Sequence, residues 1–184
     1  MKIETFNTLK QIFNESYTKA DLDTSFKLVG RNFIKTNKQY LFAQKVSNYL
    51  IGLGSQKTFN KDQLASLAAL LFSTKEIFQK FREYLHPDVR KVMDYLVWHE
   101  NSTQEEIHRK LNVDFTEITE RRLYGGGTQQ VPSVRSDFSL FNVRSRNFWS
   151  YYQNSSDFTI WLPQSLRVLI SSYYDLPDEA RLLP

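Results

Sequence analysis

Eleven basic residues lie between position 87 and the end of the chain, and nine of them are arginine. Five of those, Arg121, Arg122, Arg135, Arg144 and Arg146, fall in one short interval whose single acid is Asp137. The guanidinium group donates in pairs to phosphate oxygens and to guanine edges, so a cluster of this kind is suited to gripping nucleic acid. Thr116 and Thr119, just upstream, complete the candidate contact set. Catalytic chemistry has much less to work with. His86, His99 and His108 are the only imidazoles, and His99-Glu100 lacks the second histidine of a zinc protease, since Thr103 stands in its place. Gly125-Gly126-Gly127 carries no following Lys-Ser/Thr and so is not a phosphate loop. No serine occupies a nucleophile elbow, and the carboxylate pairs Glu105-Glu106 and Asp178-Glu179 belong to polar helix starts or the tail. The sequence therefore predicts a protein that is not an enzyme, with no catalytic residue, metal or cofactor.

The elements that would hold these arginines divide at about residue 86. Residues 1–86 contain 13 Lys/Arg against 7 Asp/Glu, and residues 87–184 contain 11 against 13, with lysine dominating the first part and arginine the second. That shift predicts a helical domain over 1–86 and a second domain over 87–184. Hydrophobic content of 41% with 24% charged residues suits packed globular structure. Zero cysteines exclude disulfides, thiol catalysis and cysteine-based zinc sites. No run of 18 apolar residues occurs, and the first residues hold no signal-peptide core, so a soluble, cytoplasmic protein without membrane contact is expected. The tail from Asp178 has no terminus character and reads as continuing into a longer chain.

Apolar spacing predicts helices through Phe6, Leu9, Ile12 and Phe13, then over Leu22–Ile34, and through the dense stretch Tyr40–Leu53. Asn60 with Gln63 forms a capping box for a helix carrying Leu64 to Phe72, and Ser73 or Thr74 caps one carrying Ile77, Phe78 and Phe81. In the second part, His86-Pro87 opens a helix whose Val89, Val92, Met93, Leu96 and Val97 form a one-sided stripe. Thr103 with Glu106 opens a short helix burying Ile107 and Leu111, Asn112 turns the chain in the left-handed conformation, and Asp114 caps a third helix carrying Ile118, Arg122 and Leu123. The Gly run then begins a polar loop through Pro132. Asp137–Val143, Asn147–Gln153 and Asp157–Leu162 read as strands, and a last helix from Pro163 carries Leu166, Leu169, Ile170 and Tyr173.

Glu106-Ile107, Leu111-Asn112-Val113-Asp114 and Ile118 resemble the helix-turn-helix pattern, and the order helix, helix-turn-helix, strands over residues 87–174 is similar to a winged helix. The resemblance implies a mainly α protein: an N-terminal helical bundle followed by a winged helix-turn-helix with a small antiparallel β wing. It further implies that Arg121–Arg146 covers the end of a recognition helix and the wing, the surfaces that meet DNA. Glu117 and Glu120 on the exposed face of that helix would oppose phosphate, and the second part is net acidic. DNA is the expected partner, with a protein partner as the alternative. In that alternative Phe148, Trp149, Tyr151 and Tyr152 are contact candidates, although core packing under the wing is their usual fate. The lysines Lys35, Lys38, Lys45, Lys57 and Lys61 suggest at most a non-specific backbone grip.

Overall fold

A computed structural model describes residues 3–26, 58–122, 126–145 and 158–174. Seven helices, a two-stranded ribbon and a three-stranded sheet are formed among the described residues. The first helix, α1 (Ile3–Ser16), buries Phe6, Leu9 and Phe13 on one stripe. Thr18 then caps α2 (residues 19–26) through a reciprocal pair: the Asp21 N–H donates to Thr18 Oγ1 at 3.2 Å and the Thr18 N–H to Asp21 Oδ2 at 2.9 Å. This helix brings Leu22 and Phe26 into the core. Helix α3 (Lys61–Leu71) opens on the expected capping box of Asn60 and Gln63 and is buried continuously from Leu64 to Leu71. Its Ala65, Ser66, Ala68 and Ala69 let neighbouring elements approach closely, and α1 packs along it.

Thr74 caps α4 (Lys75–Arg82), which buries Ile77, Phe78 and Phe81. The ring of Phe72, at the C-cap of α3, then meets four others: Phe13 at 5.3 Å, Phe78 at 5.3 Å, Phe81 at 5.5 Å and Phe26 at 6.1 Å between centroids. Five aromatic rings from four elements thus share one contact cluster.

Helix α5 (Pro87–Leu96) starts with Pro in its first turn and buries Val89, Val92, Met93 and Leu96, as the stripe predicts. Strand β1 (Ser102–Thr103) leads into α6 (Gln104–Leu111), capped by Thr103 and ended by Asn112 at φ 52° in the left-handed region. The helix expected after Asp114 is not formed. Residues Thr116–Arg122 are strand β2, paired antiparallel with β3 (Thr128–Val134). The physical reason lies in Thr-Glu-Ile-Thr-Glu-Arg-Arg itself. It is rich in β-branched residues and has one large apolar side chain, Ile118, which is 64% exposed, so a helix here would have no stripe to bury. The polar loop predicted through Pro132 is correspondingly short, because β3 occupies most of it.

The strand expected at Asp137–Val143 is also revised. Ser136–Phe138 is a 3-10 turn, and the Phe141 N–H continues the compact path by donating to the Phe138 carbonyl at 3.0 Å. Phe138, Leu140 and Phe141 are all buried, so the apolar alternation that suggests a strand is satisfied by a tight helical turn. Only then does β4 (Asn142–Ser145) begin. Strand β5 (Phe158–Trp161) and helix α7 (Gln164–Ser171) fall where expected, with Leu166 and Ile170 buried. The order in the sheet is β1-β5-β4, all antiparallel. The expected elements Tyr40–Leu53 and Asn147–Gln153, and the part of Leu22–Ile34 past residue 26, lie outside the described residues.

Packing crosses residue 86 without a break, and one buried cluster runs from Phe6 to Ile170. Tyr17 is fully buried and donates to the Leu140 carbonyl at 2.9 Å, and Tyr173 donates to the Phe72 carbonyl at 2.8 Å. Burial raises the pKa of both phenols, which stay neutral donors at ordinary pH. Arg82 pairs with Asp94, whose Oδ1 also accepts from Tyr174 at 2.6 Å. Because Phe72 is the ring shared by the helical elements, Phe72→Ala is expected to cost about 3–5 kcal/mol. Urea unfolding should show a single transition, displaced to much lower denaturant.

Candidate nucleic-acid interface

The ribbon formed by β2 and β3 has seven cross-strand pairs, from Thr116 opposite Val134 at its base to Arg122 opposite Thr128 at its far end. At about 3.3 Å per residue it extends roughly 23 Å. Next to its turn, Gly126 takes φ +94°, a conformation that L side chains rarely adopt, and a Cβ there would meet nothing within 4 Å. The glycine therefore answers to its backbone conformation and, among the described residues, to no close contact.

The base of the ribbon is clamped by polar groups. Gln104, buried in the first turn of α6, accepts from the Phe115 N–H at 3.2 Å and donates to Asp114 Oδ1 at 2.8 Å. His108 Nδ1 lies 2.9 Å from the same carboxylate oxygen. Phe115 is fully buried, with its ring tilted at 45° to that of Phe138 and 6.0 Å from it between centroids.

Arg135 belongs to this clamp. It donates to both oxygens of Asp137, to Asp88 Oδ2 at 3.1 Å and to the Asp114 carbonyl at 2.8 Å, and its guanidinium lies 5.0 Å from the Phe138 ring centroid. Partial desolvation works against its charge, but the hydrogen bonds that it donates to Asp137 and Asp88 outweigh that, and its pKa is raised. Its donors are spent on joining α5, the ribbon and the 3-10 turn.

Arg121 and Arg122 are different. Both are exposed on the last two pairs before the turn, and no carboxylate pairs with either among the described residues. Glu117 and Glu120 lie nearer the base, and the two-residue period places them on opposite faces of the ribbon, instead of together on a helix surface. Thr116 is half-buried at the base. Thr119 Oγ1 lies 3.4 Å from the Val131 carbonyl.

Arg144 sits elsewhere, on β4, opposite Thr159 of β5, which is itself opposite Thr103 of β1. This row faces away from the core, whereas the neighbouring row of Ser102, Ile160 and Val143 faces inward. Arg144 is exposed and, like Arg121 and Arg122, has no ionic partner among the described residues. It lines a cavity of about 570 Å³ with Glu100, Asn101, Thr159, Trp161, Leu162, Gln164 and Arg167. Arg167 reaches Glu100 across it at 3.5 Å.

Arg146 and the aromatic cluster Phe148, Trp149, Tyr151 and Tyr152 lie outside the described residues, as do Lys35, Lys38, Lys45 and Lys57. Lys61 donates to the Asn14 carbonyl at 2.6 Å, tying α3 to α1. The sequence reading missed Trp161, Gln164 and Arg167. The signal available for Trp161 was the alternation Phe158, Thr159, Ile160, Trp161, which puts the second and fourth residues on the face opposite the core.

Among the described residues there is no helix long and apolar enough to cross a membrane, and no group of three or more metal-type side chains. Comparison with protein-family models, with curated proteins and with solved structures returns no match.

The contrast among the arginines gives a test of placement. Arg135→Ala is expected to destabilise the protein by about 1–3 kcal/mol, through lost charge-assisted hydrogen bonds. Arg121→Ala and Arg122→Ala should each stay within about 0.5 kcal/mol of the parent, as exposed substitutions do. Equal costs at all three positions in urea unfolding would refute the assignment of Arg135 to the clamp.

Proposed function

We propose that this protein is a non-catalytic nucleic-acid-binding module of winged-helix type, in which a β-ribbon stands where a recognition helix would be. The order α5, β1, α6, then β4 and β5 with β5 central in the sheet, supports the winged-helix reading. The ribbon then enters as an insertion between α6 and the 3-10 turn at Ser136–Phe138.

The observation that carries the functional reading is the pair Arg121 and Arg122, exposed and free of carboxylate partners at the far end of a two-stranded ribbon. The major groove of DNA admits such a ribbon as readily as a helix, and Arg is the side chain best matched to phosphate and guanine. The carboxylates that would repel phosphate on a recognition helix lie further back along the ribbon, so the leading end is basic. A rigid base also favours binding, because less ordering is required on contact.

A protein partner is the second reading, favoured by one observation. Ile118 is 64% exposed and faces Pro132 across the ribbon, an apolar pair of the kind that a protein groove would cover.

Fluorescence anisotropy of a labelled duplex, titrated at several salt concentrations, tests the first reading. Binding should weaken steeply as salt rises. In the Arg121→Ala/Arg122→Ala double variant, affinity at low salt should fall by at least about tenfold, and the slope of log affinity against log salt should drop by about 2. Absence of duplex binding at low salt would sink the nucleic-acid reading. Loss of a protein partner on Ile118→Asp, with the arginine variant unaffected, would establish the second.

A further inference from the structure

The cavity over the outer face of the three-stranded sheet is not used by the ribbon, and its lining has a specific chemistry. Trp161 supplies an aromatic surface, Arg144 a guanidinium, and Asn101 and Gln164 side-chain amides. Its volume of about 570 Å³ lies within the range of small-ligand sites, roughly 300–1,000 Å³.

The charge balance narrows the ligand. Arg144 and Arg167 contribute two positive charges, and Glu100 removes one by pairing with Arg167. The net charge of +1 over the described lining residues matches one phosphodiester. It does not match a triphosphate, which would meet the Glu100 carboxylate with several negative charges of its own. An aromatic surface beside one guanidinium, with amides able to hydrogen-bond base edges, is the arrangement that holds an unpaired nucleotide of a strand.

We infer that this cavity is a second nucleic-acid site, which takes a single unpaired nucleotide of a single strand with its base on Trp161 and its phosphodiester on Arg144. The inference rests on the proposed nucleic-acid function and extends it from duplex contact to strand contact.

The test uses the full chain and a fluorescently labelled six-nucleotide single strand, followed by anisotropy. Trp161→Ala should weaken binding roughly ten- to a hundred-fold, the worth of one stacked base, while Trp161→Phe should keep most of it. Arg144→Ala should weaken binding and lower the salt slope by about 0.7. Arg144 has no partner to lose among the described residues, so this variant should unfold at the parent's urea midpoint. ATP at the same concentration should not displace the hexamer.

Absence of hexamer binding overturns the inference, as does binding indifferent to Trp161 and Arg144. Displacement by ATP overturns the strand as the ligand. Duplex binding that persists while hexamer binding is absent leaves the ribbon reading standing and removes only this one. Hexamer binding that persists with no duplex binding does the reverse.

Discussion

Phe72 is where the chain's local order becomes tertiary order. Its backbone closes α3, its ring touches those of Phe13, Phe26, Phe78 and Phe81, and its carbonyl takes the Tyr173 hydroxyl from the far end of the sequence. A carbonyl at a helix C-terminus needs a partner when water is excluded, and a phenol is one of the few side chains that can bring a donor through an apolar layer. The requirement is mutual, since Tyr173 would otherwise bury a hydroxyl unpaired. Tyr17 repeats the device on the Leu140 carbonyl. These two phenols register the first helices against the last third of the molecule, which is why the composition shift at residue 86 has no counterpart in the packing.

From that core the chain's functional surfaces are held at graded rigidity. The sheet lies directly on it through Ile160, Phe158 and the inward row. The ribbon leaves it at Phe115, and Gln104, Arg135 and Asp137 fix its angle of departure with hydrogen bonds where the apolar contacts end. An arginine rich in acceptors at the base and two arginines without partners among the described residues at the end is a division of labour within one residue type. Burial and local carboxylates decide it, since the side chains are chemically identical.

Much of the helical part was legible because its signals are local. Asn60 with Gln63, Thr74, His86-Pro87 and Asn112 mark helix ends through short-range hydrogen bonds and backbone preference, and each does so in the structure. The ribbon was not legible in the same way. Asp114 followed by a Glu/Arg-rich stretch has the polar character of a helix start, and the β-branched Thr116, Ile118 and Thr119 are what argue otherwise. The turn at Ser136–Phe138 was misread for the opposite reason: Phe138 and Leu140 have the spacing of a strand, yet Phe141, which a strand would turn to the other face, is buried as well. For the site, type was readable and role was not. Arg135 and Arg144 look alike in sequence, and the contacts that distinguish them come from Asp137, two residues on, and from Asp114 and Asp88, 21 and 47 residues away.

Pro132 lies in the middle of β3, opposite Ile118, in a ribbon that pairs with no third strand among the described residues. A projecting pair of strands offers two open margins of amide and carbonyl groups, the surface on which one chain can recruit another into a growing sheet. Proline has no N–H to offer there, and on the other strand Glu117, Glu120, Arg121 and Arg122 place charge along the second margin. The same arginines that suit a nucleic-acid groove thus also keep an extended arm from self-association, so neutralising them would be felt first as a loss of solubility at high concentration.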